Sequence, residues 1–414
     1  MILEKYSIGV GDRFARQGEA QLQALVLAAG RGIDVVPVWN KSNREHVIIG
    51  TQPATVRAEA DAAVKATAWK RSYYVDADHI SLQTVDIFME ASDFFTLDVA
   101  DYTGKPAAAG DIVKFVSKFK SYAGTLAIPG LVKPLDISLE HIRAAATKYL
   151  FAVQEAGRIY RHIESKKGKG KFITEVSMDE TDLPQAPAEL LFILAAIADE
   201  GIPAQTIAPK FTGRFNKGVD YVGDVARFEK EFTEDLAIIA YAVKEFGLPA
   251  NLKLSIHSGS DKFSIYGPIK RVLKTTGAGL HLKTAGTTWL EELIGLAESG
   301  KDGLALAKEV YRTAFGRYDE LRVPYAPVID IDPKILPTPD EVDTWSGIQF
   351  AGALKHDQSN KAYNRHFRQL LHISFKVASE MGDRYLAALT ANRDVIAKNV
   401  IENLIERHIL KVFG

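Results

Sequence analysis

The sequence predicts an α/β fold, a (β/α)8 TIM-like barrel with an inserted helical segment and a helical C-terminal extension. Eight short apolar runs each end in a polar or charged residue, and most are followed by a stretch with helical spacing of apolar residues. Strands that alternate with helices form parallel sheets, and eight such units can close into a barrel. The runs are residues 6–13, 33–40, 73–79, 94–98, 172–175, 206–210, 252–257 and 279–283.

The segments between these runs have the composition and spacing of helices. Residues 17–29 and 54–69 are rich in alanine, leucine, glutamate and glutamine, with apolar residues at helical spacing. Residues 186–199 are nearly all apolar, which is typical of a helix buried on most sides. Residues 225–246 form a long amphipathic run that ends at a glycine and then a proline, a helix stop signal. Each helix would return the chain to the start of another parallel strand.

Two segments depart from this alternation. Residues from about 100 to 170 interrupt the barrel with a turn rich in glycine, alanine and proline, followed by a helix from Leu139 to about Glu164. After the last predicted strand the pattern is helical to the end of the chain. We therefore expect a catalytic barrel over residues 1–300 and a helical extension over residues 301–414. The extension is expected to pack on the barrel, cover its mouth or contribute to an oligomer interface.

Composition and charge exclude several classes of function. The 414 residues are 47% hydrophobic and 25% charged, with a formal net charge of −1 and no cysteine. A charge near zero provides no general attraction to nucleic acid or to an anionic membrane. The absence of cysteine excludes disulfides, thiolate metal sites and a cysteine nucleophile. No stretch reaches the roughly 18 to 20 continuous apolar residues that span a bilayer, and no signal segment is recognised at the start. We expect a cytoplasmic protein with a small-molecule substrate.

Alternation within the later strands places polar residues on one face. In the seventh run, Leu254 and Ile256 point to one side and His257 to the other, and His281 and Lys283 likewise oppose two leucines. The aliphatic residues should face the surrounding helices, so the polar residues face the barrel axis. Chemistry in this fold takes place where the strands end. Several ionisable groups inside a barrel are costly unless they bind something.

Three histidines end or nearly end predicted strands: His79, His257 and His281. Three imidazoles that meet at one barrel mouth would bind Zn²⁺, Mn²⁺, Co²⁺ or Ni²⁺ and leave positions open for substrate oxygens. No HxxH or HxH spacing supports this site locally, so the prediction rests on the fold. In the alternative interpretation, each histidine caps its strand through hydrogen bonds.

Carboxylates at the strand ends could provide acid–base chemistry. Asp76 and Asp78 share a strand face beside His79, and paired carboxylates repel unless one is protonated or a cation lies nearby. Glu175 ends the fifth strand, across the barrel from the third, where it could complete an acid–base pair with Asp78. Alternatively, Asp78 caps the following helix. Asp179 is expected only to begin the next helix.

Cations near the strand ends could bind an anionic group of the substrate, such as a carboxylate. The candidates are Lys210, Arg214 and Lys283, and Asp76 could reach the same pocket. Asp12 and Arg13, at the end of the first run, are candidates for further contacts at the mouth. For each of Lys210, Arg214 and Lys283, a salt bridge to a neighbouring strand-end acid stays open as the alternative.

Four motifs resemble the tagaturonate/fructuronate epimerase family. They are residues 7–14 (SIGVGDRF), 75–80 (VDADHI), 255–263 (SIHSGSDKF) and 281–286 (HLKTAG). The resemblance therefore extends across the predicted barrel. It implies a divalent-metal sugar-acid epimerase of hexuronate breakdown that interconverts D-tagaturonate and D-fructuronate. It also implies that His79, His257 and His281 are the metal ligands, that Asp78 is the proton acceptor and that Glu175 is the proton donor.

The substrate pair suggests a mechanism and its rivals. The inverted carbon lies β to the ketone, so its hydrogen is not acidic, and we favour a retro-aldol and aldol sequence over direct proton transfer. Related neutral ketohexoses are possible substrates. A metal-dependent aldose–ketose isomerase and a non-catalytic sugar-acid-binding barrel remain alternatives, and a homo-oligomer is possible.

Overall fold

Eight parallel strands close into a barrel in the computed structural model, which describes residues 1–181, 183–283 and 286–414. The strands of the chain are β1 (Tyr6–Val10), β2 (Val36–Ser42), β3 (Tyr74–Ile80), β4 (Phe94–Asp98), β5 (Gly124–Leu126), β6 (Leu135–Ile137), β7 (Ile173–Ser177), β8 (Thr206–Ala208), β9 (Lys253–His257) and β10 (Leu280–Lys283). Around the barrel the order is β1, β2, β3, β4, β7, β8, β9 and β10, and β10 pairs with β1. The predicted fold class is confirmed.

Helices surround the barrel and make up most of the rest of the described chain. Up to residue 300 they are Gly18–Gly30, Asn43–Ile49, Ala54–Thr67, Ala109–Phe119, Leu139–Lys167, Pro187–Asp199, Val225–Phe246, Phe263–Thr276 and Thr288–Glu298. Beyond it they are Lys301–Gly316, Tyr318–Arg322, Pro339–Asp343, Gly347–Leu354, Arg365–His372, Phe375–Glu380, Asp383–Ala391, Arg393–Glu402, the π-helical turn Asn403–Ile409 and Leu410–Val412. Short 3₁₀ turns are Val85–Phe88, Ala100–Tyr102, Lys120–Tyr122 and Val323–Val328. Among the described residues, no helix combines the length and apolar character that a membrane span requires.

The barrel interior is apolar at one end and polar at the other. Buried apolar side chains fill the end where the strands begin: Leu3, Val36, Val38, Tyr74, Phe94 and Ile173. At the other end, β9 and β10 finish side by side with His257 opposite Lys283. Leucine and isoleucine at alternate positions belong to the core between strands and helices, as the period of two predicts. The polar end is therefore the end available for chemistry.

The insertion between β4 and β7 contains a hairpin that the sequence pattern did not predict. Its strands β5 and β6 pair antiparallel, with Gly124 opposite Ile137. Each strand has three residues, too few for alternation to be recognised. The following helix begins after Ser138, whose side chain accepts from the His141 backbone N–H, and it continues to Lys167. The predicted end near Glu164 was about three residues short.

The helices after residue 300 pack on the barrel helix Thr288–Glu298. From that helix, Trp289 donates through Nε1 to a backbone carbonyl of the extension at 2.7 Å. Arg368 of the extension forms a fully buried ion pair of 2.9 Å with Asp261, in the segment that follows β9. The boundary near residue 300 stays a prediction, because one buried apolar core continues through both parts.

Candidate active site

A buried lysine joins three carboxylates at the polar end of the barrel. Lys283 Nζ lies 2.9 Å from Asp76 Oδ2, 2.9 Å from Asp78 Oδ1 and 3.2 Å from Glu175 Oε1. Only 1% of Lys283 is exposed. Burial lowers the pKa of Lys283, but the three carboxylates outweigh burial and raise that pKa well above its usual range. Inward-facing positions on β3, β7 and β10 thus create one charged network.

Asp76 forms the lower part of this network. It is 2% exposed, and Thr96 Oγ1 lies 3.0 Å from both of its carboxylate oxygens. Lys283 in turn donates to the Thr96 hydroxyl. Burial raises the pKa of Asp76 to about 7, because Lys283 offsets burial and the nearby charges of Asp78 and Glu175 only in part. The structure therefore places Asp76 beneath the acids that lie nearer the mouth.

Two histidines and an aspartate converge above the network. His79, Asp179 and His257 each offer a ligand atom, and these atoms lie within 4.8 Å of one another. Asp179 oxygens lie 3.6 Å from His79 Nε2 and 3.1 Å from His257 Nδ1. Neither of these ring nitrogens has a hydrogen bond among the described residues, although both are buried. Two imidazoles and a carboxylate fit the donor preference of Zn²⁺, Mn²⁺, Co²⁺ or Ni²⁺.

The backbone turns His79 toward this cluster. His79 has a φ of 53°, a left-handed backbone conformation that residues other than glycine seldom adopt. The pairing of β3 with β4 shifts register between Ala77 and Ile80. Such irregularities redirect a side chain and are frequent beside active sites. The local strain at His79 is therefore consistent with a functional position.

Each histidine of the cluster also contacts one of the candidate acid–base residues. His79 Nδ1 lies 2.6 Å from Asp78 Oδ1, and His257 Nε2 lies 2.8 Å from Glu175 Oε1. Burial opposes the charged form of Asp78, but Lys283 and His79 outweigh it and hold the pKa of Asp78 well below its usual range. Burial also raises the pKa of Glu175, but Lys283 and His257 outweigh burial and hold that pKa well below its usual range. A carboxylate on the second nitrogen of an imidazole orients the ring and fixes its tautomer.

His281 lies outside this cluster. It pairs in register with Ser255, one inward position below the Lys283–His257 pair, and it is fully buried. Its Nδ1 lies 2.9 Å from Ser7 Oγ, and its ring centroid is 5.4 Å from that of Phe94. Burial lowers the pKa of His281 to about 3, so the ring is neutral. The structure groups Asp179, and not His281, with the other two histidines.

The three predicted substrate-binding cations have different surroundings. Lys283 forms salt bridges with three acids, which is the alternative to substrate binding that the sequence left open. Its charge is therefore not free for a substrate. Arg214 has a 51% exposed side chain, 4.0 Å from Asp330 of the extension, and does not join the buried network. Lys210 is half-buried after β8, where its backbone N–H donates to Gln185 Oε1 at 2.7 Å.

Asp179 is the residue that sequence reasoning missed. It lies two residues beyond the end of β7, and Ser177 Oγ donates to its Oδ1 at 2.6 Å. Its expected role at the start of the next helix is not observed, because that helix begins at Pro187. Its short distance in sequence from Glu175 was the available signal, since loops after barrel strands carry functional groups.

Comparison with known proteins identifies the family. A sequence model of the UxaE family, described as tagaturonate epimerase, matches residues 1–412. The tagaturonate/fructuronate epimerase of Thermotoga maritima is 26% identical over 421 residues, which covers 97% of this chain and 80% of that protein.

Solved structures agree with the fold. The fructuronate-tagaturonate epimerase UxaE of Cohnella laeviribosi, in a crystal structure with one glycerol, superposes with a TM-score of 0.81 at 23% identity. That match covers 100% of this chain and 82% of the other. The native crystal structure of the same enzyme gives 0.78 at 22% identity, with the same coverage. The family match over almost the whole length shows that this chain belongs to the tagaturonate epimerase family, a family of isomerases.

Proposed function

We propose that this protein interconverts D-tagaturonate and D-fructuronate with the help of a divalent cation. The observation that carries the proposal is the pair of contacts from Asp78 to His79 and from Glu175 to His257. These contacts place two acid–base candidates beside two candidate ligands at the barrel mouth. Membership of the family supports the substrate pair, and the arrangement of these side chains supports the chemistry.

His79, Asp179 and His257 would hold the cation, which we propose to be Zn²⁺, Mn²⁺, Co²⁺ or Ni²⁺. When bound, it would supply Lewis-acid stabilisation of negative charge on the substrate's oxygens. The other ring nitrogens of His79 and His257 contact Asp78 and Glu175, and these contacts fix the orientation of both rings. His281 was predicted as a third ligand, and we now propose Asp179 in that position because it lies with the other two.

Asp78 is proposed to remove the proton from the hydroxyl on the carbon that is inverted. Lys283 and His79 hold its carboxylate in the charged form that a base requires. The bond between this carbon and its neighbour next to the ketone then opens, with its electron pair passing to the ketone fragment. The aldehyde turns its other face to the ketone fragment, and the bond forms again with inverted configuration.

Glu175 is proposed to supply the proton to the new hydroxyl group. Like Asp78 it contacts Lys283 Nζ, so the two acids lie close enough to act on one small substrate. Because Lys283 and His257 lower the pKa of Glu175, it would first take a proton from Lys283 Nζ, and Lys283 would recover the proton that Asp78 removed. No net proton is consumed, because the base removes one from the hydroxyl and the acid restores one.

Metal analysis combined with an assay on D-tagaturonate tests this proposal. We expect a divalent metal in the purified protein, turnover that disappears with a chelator, and retention of the hydrogen on the inverted carbon. His257→Ala should remove both metal and activity. Full metal content without activity in this variant would show that His257 is not a ligand. Exchange of the hydrogen with solvent would exclude the retro-aldol route, and an aldose product would identify an aldose–ketose isomerase.

Three further expectations stay predictions. Lys210 is proposed to contact the substrate from the segment after β8. A homo-oligomer and a cytoplasmic location are also still to be tested.

A further inference from the structure

We propose that Lys217 binds the carboxylate of the substrate, in a subsite completed by Arg13 and by His372 of the C-terminal extension. The identity of the substrate rests on the function proposed above, whereas the subsite rests on the arrangement of these side chains. The C-terminal extension would thereby contribute part of the active site, and Lys217 would select sugar acids over neutral sugars.

Backbone hydrogen bonds fix Lys217 in the segment that follows β8. Its N–H donates to the Val328 carbonyl at 2.8 Å, and its own carbonyl accepts from Gln369 Nε2 at 3.0 Å. A Cβ added to Gly259 would lie 3.5 Å from Lys217 Nζ. Gly259 comes two residues after His257, so the ammonium group lies against the loop that follows this candidate ligand.

The charge of Lys217 is unused within the part of the chain that the structure describes. No carboxylate or hydrogen-bond acceptor there contacts its ammonium group. Neighbouring cations are paired: Arg13 Nη2 lies 2.8 Å from Glu45 Oε1, and Arg368 is bound to Asp261. Lys262 Nζ donates to backbone carbonyls, including that of Val219 at 2.8 Å. Lys217 therefore differs from them in being available to an anion.

His372 brings an unsatisfied polar group to the same place. It is 4% exposed, and its Nδ1 is buried without a hydrogen-bond partner among the described residues. A Cβ on Gly218, the residue after Lys217, would lie 3.3 Å from His372 Cδ2. Burial, reinforced by Arg13 and Lys217, holds the pKa of His372 well below its usual range. A neutral imidazole can donate one N–H to an anion, which would satisfy the buried nitrogen.

Arg13 is the third member of the proposed subsite. Its guanidinium group lies 5.0 Å from the ring centroid of Phe375, three residues after His372, and its buried Nε has no hydrogen-bond partner in the described ranges of the chain. Its ion-pair partner Glu45 links the subsite to the catalytic acids. Burial opposes the charged form of Glu45, yet Arg13, the backbone N–H of Ser42 and, least, Lys217 outweigh burial and Asp78 and lower the pKa of Glu45.

An anchored carboxylate has a specific use in the proposed reaction. When the carbon–carbon bond opens, the carboxylate stays on the aldehyde fragment, two carbons from the centre that is inverted. A cation that holds this carboxylate lets the aldehyde rotate without leaving the site. Lys217 would thereby retain the fragment while its other face is presented to the ketone fragment.

Two assays on full-length, metal-loaded protein test the subsite, with Lys217→Gln, Lys217→Arg and the exposed control Lys361→Gln. We expect Lys217→Gln to lower kcat/KM for D-tagaturonate by about tenfold or more, mainly through KM, because a charge-assisted contact is lost. The value for neutral D-tagatose should change less than about twofold, and Lys217→Arg should retain most of the selectivity. In calorimetric titrations, which need no turnover, Lys217→Gln should weaken binding of glycerate about tenfold and leave binding of glycerol unchanged.

Several results would overturn the subsite. These are equal losses on tagaturonate and tagatose, unchanged glycerate affinity in Lys217→Gln, no glycerate binding by the unmodified protein, or a selective loss in Lys210→Gln instead. Failure of the unmodified protein to epimerise D-tagaturonate, combined with Lys217-dependent glycerate binding, would reject the proposed function and retain the anion subsite.

Discussion

Lys283 Nζ lies 2.9 Å from Asp78 Oδ1, and this contact joins the strand that ends the barrel to the strand that carries a candidate base. Two further carboxylates, those of Asp76 and Glu175, contact the same ammonium group. Removal of the ammonium would leave three carboxylates close together at buried positions. Lys283 therefore has a structural role as well as an electrostatic one.

Lys283→Met should destabilise the fold by about 3–5 kcal/mol, because breaking a buried ion pair leaves uncompensated charge. Urea unfolding at neutral pH measures this loss. Lys253→Met is the matched control: Lys253 is also a buried inward-facing lysine, on β9, but its Nζ donates to the carbonyls of Leu3 and Glu4. The two variants should differ clearly in unfolding midpoint, and equal losses would contradict a special role for the acids.

Substitutions of Asp179 and of His281 are expected to have different effects on metal affinity. Asp179→Asn should weaken metal affinity at least about tenfold, because Asp179 lies with His79 and His257 and contacts both. His281→Asn should keep its metal, because His281 is buried one position lower and contacts Ser7. Metal content after dialysis against a weak chelator separates the two variants. Loss of metal from His281→Asn with retention in Asp179→Asn would restore the assignment implied by the family resemblance.

Glu291 should make stability depend on pH. It is 1% exposed, and Asn403 donates to its Oε1 at 3.1 Å. Burial raises the pKa of Glu291 to about 7, with Arg368 offsetting burial only in part. Between its ordinary value of 4.5 and about 7 the folded state holds more protons than the unfolded state, so stability falls as pH rises through this range.

Glu291→Gln should remove this dependence. Its stability should match that of the unmodified protein near pH 4.5 and exceed it above pH 7, by about 3 kcal/mol. Thermal unfolding at a series of pH values provides the comparison. Glu298→Gln is the control, because Glu298 lies on the same helix and binds Asn399, but is exposed. If the difference in stability between Glu291→Gln and the unmodified protein were the same at all pH values, Glu291 would not be the source of the pH dependence.

The sequence by itself determined the barrel and most of the strand ends. Eight apolar runs with terminal polar residues predict the fold, and alternation correctly places Glu175, His257 and Lys283 on the inner face. Local composition is sufficient for these features, because a strand's period of two assigns each side chain to a face. The hairpin of the insertion was not predicted, because strands of three residues are too short to show an alternation of apolar and polar residues.

Only the tertiary structure decided the depth of each side chain and its partners. His257 and His281 share an inner face, but the register of β9 and β10 places His281 one layer deeper, while a loop brings Asp179 to the mouth. Gly218, the residue after Lys217, lies against His372 although 154 positions of sequence numbering separate them. Depth and distant contacts depend on how neighbouring strands are staggered and how the extension packs, and neither is encoded in a local pattern.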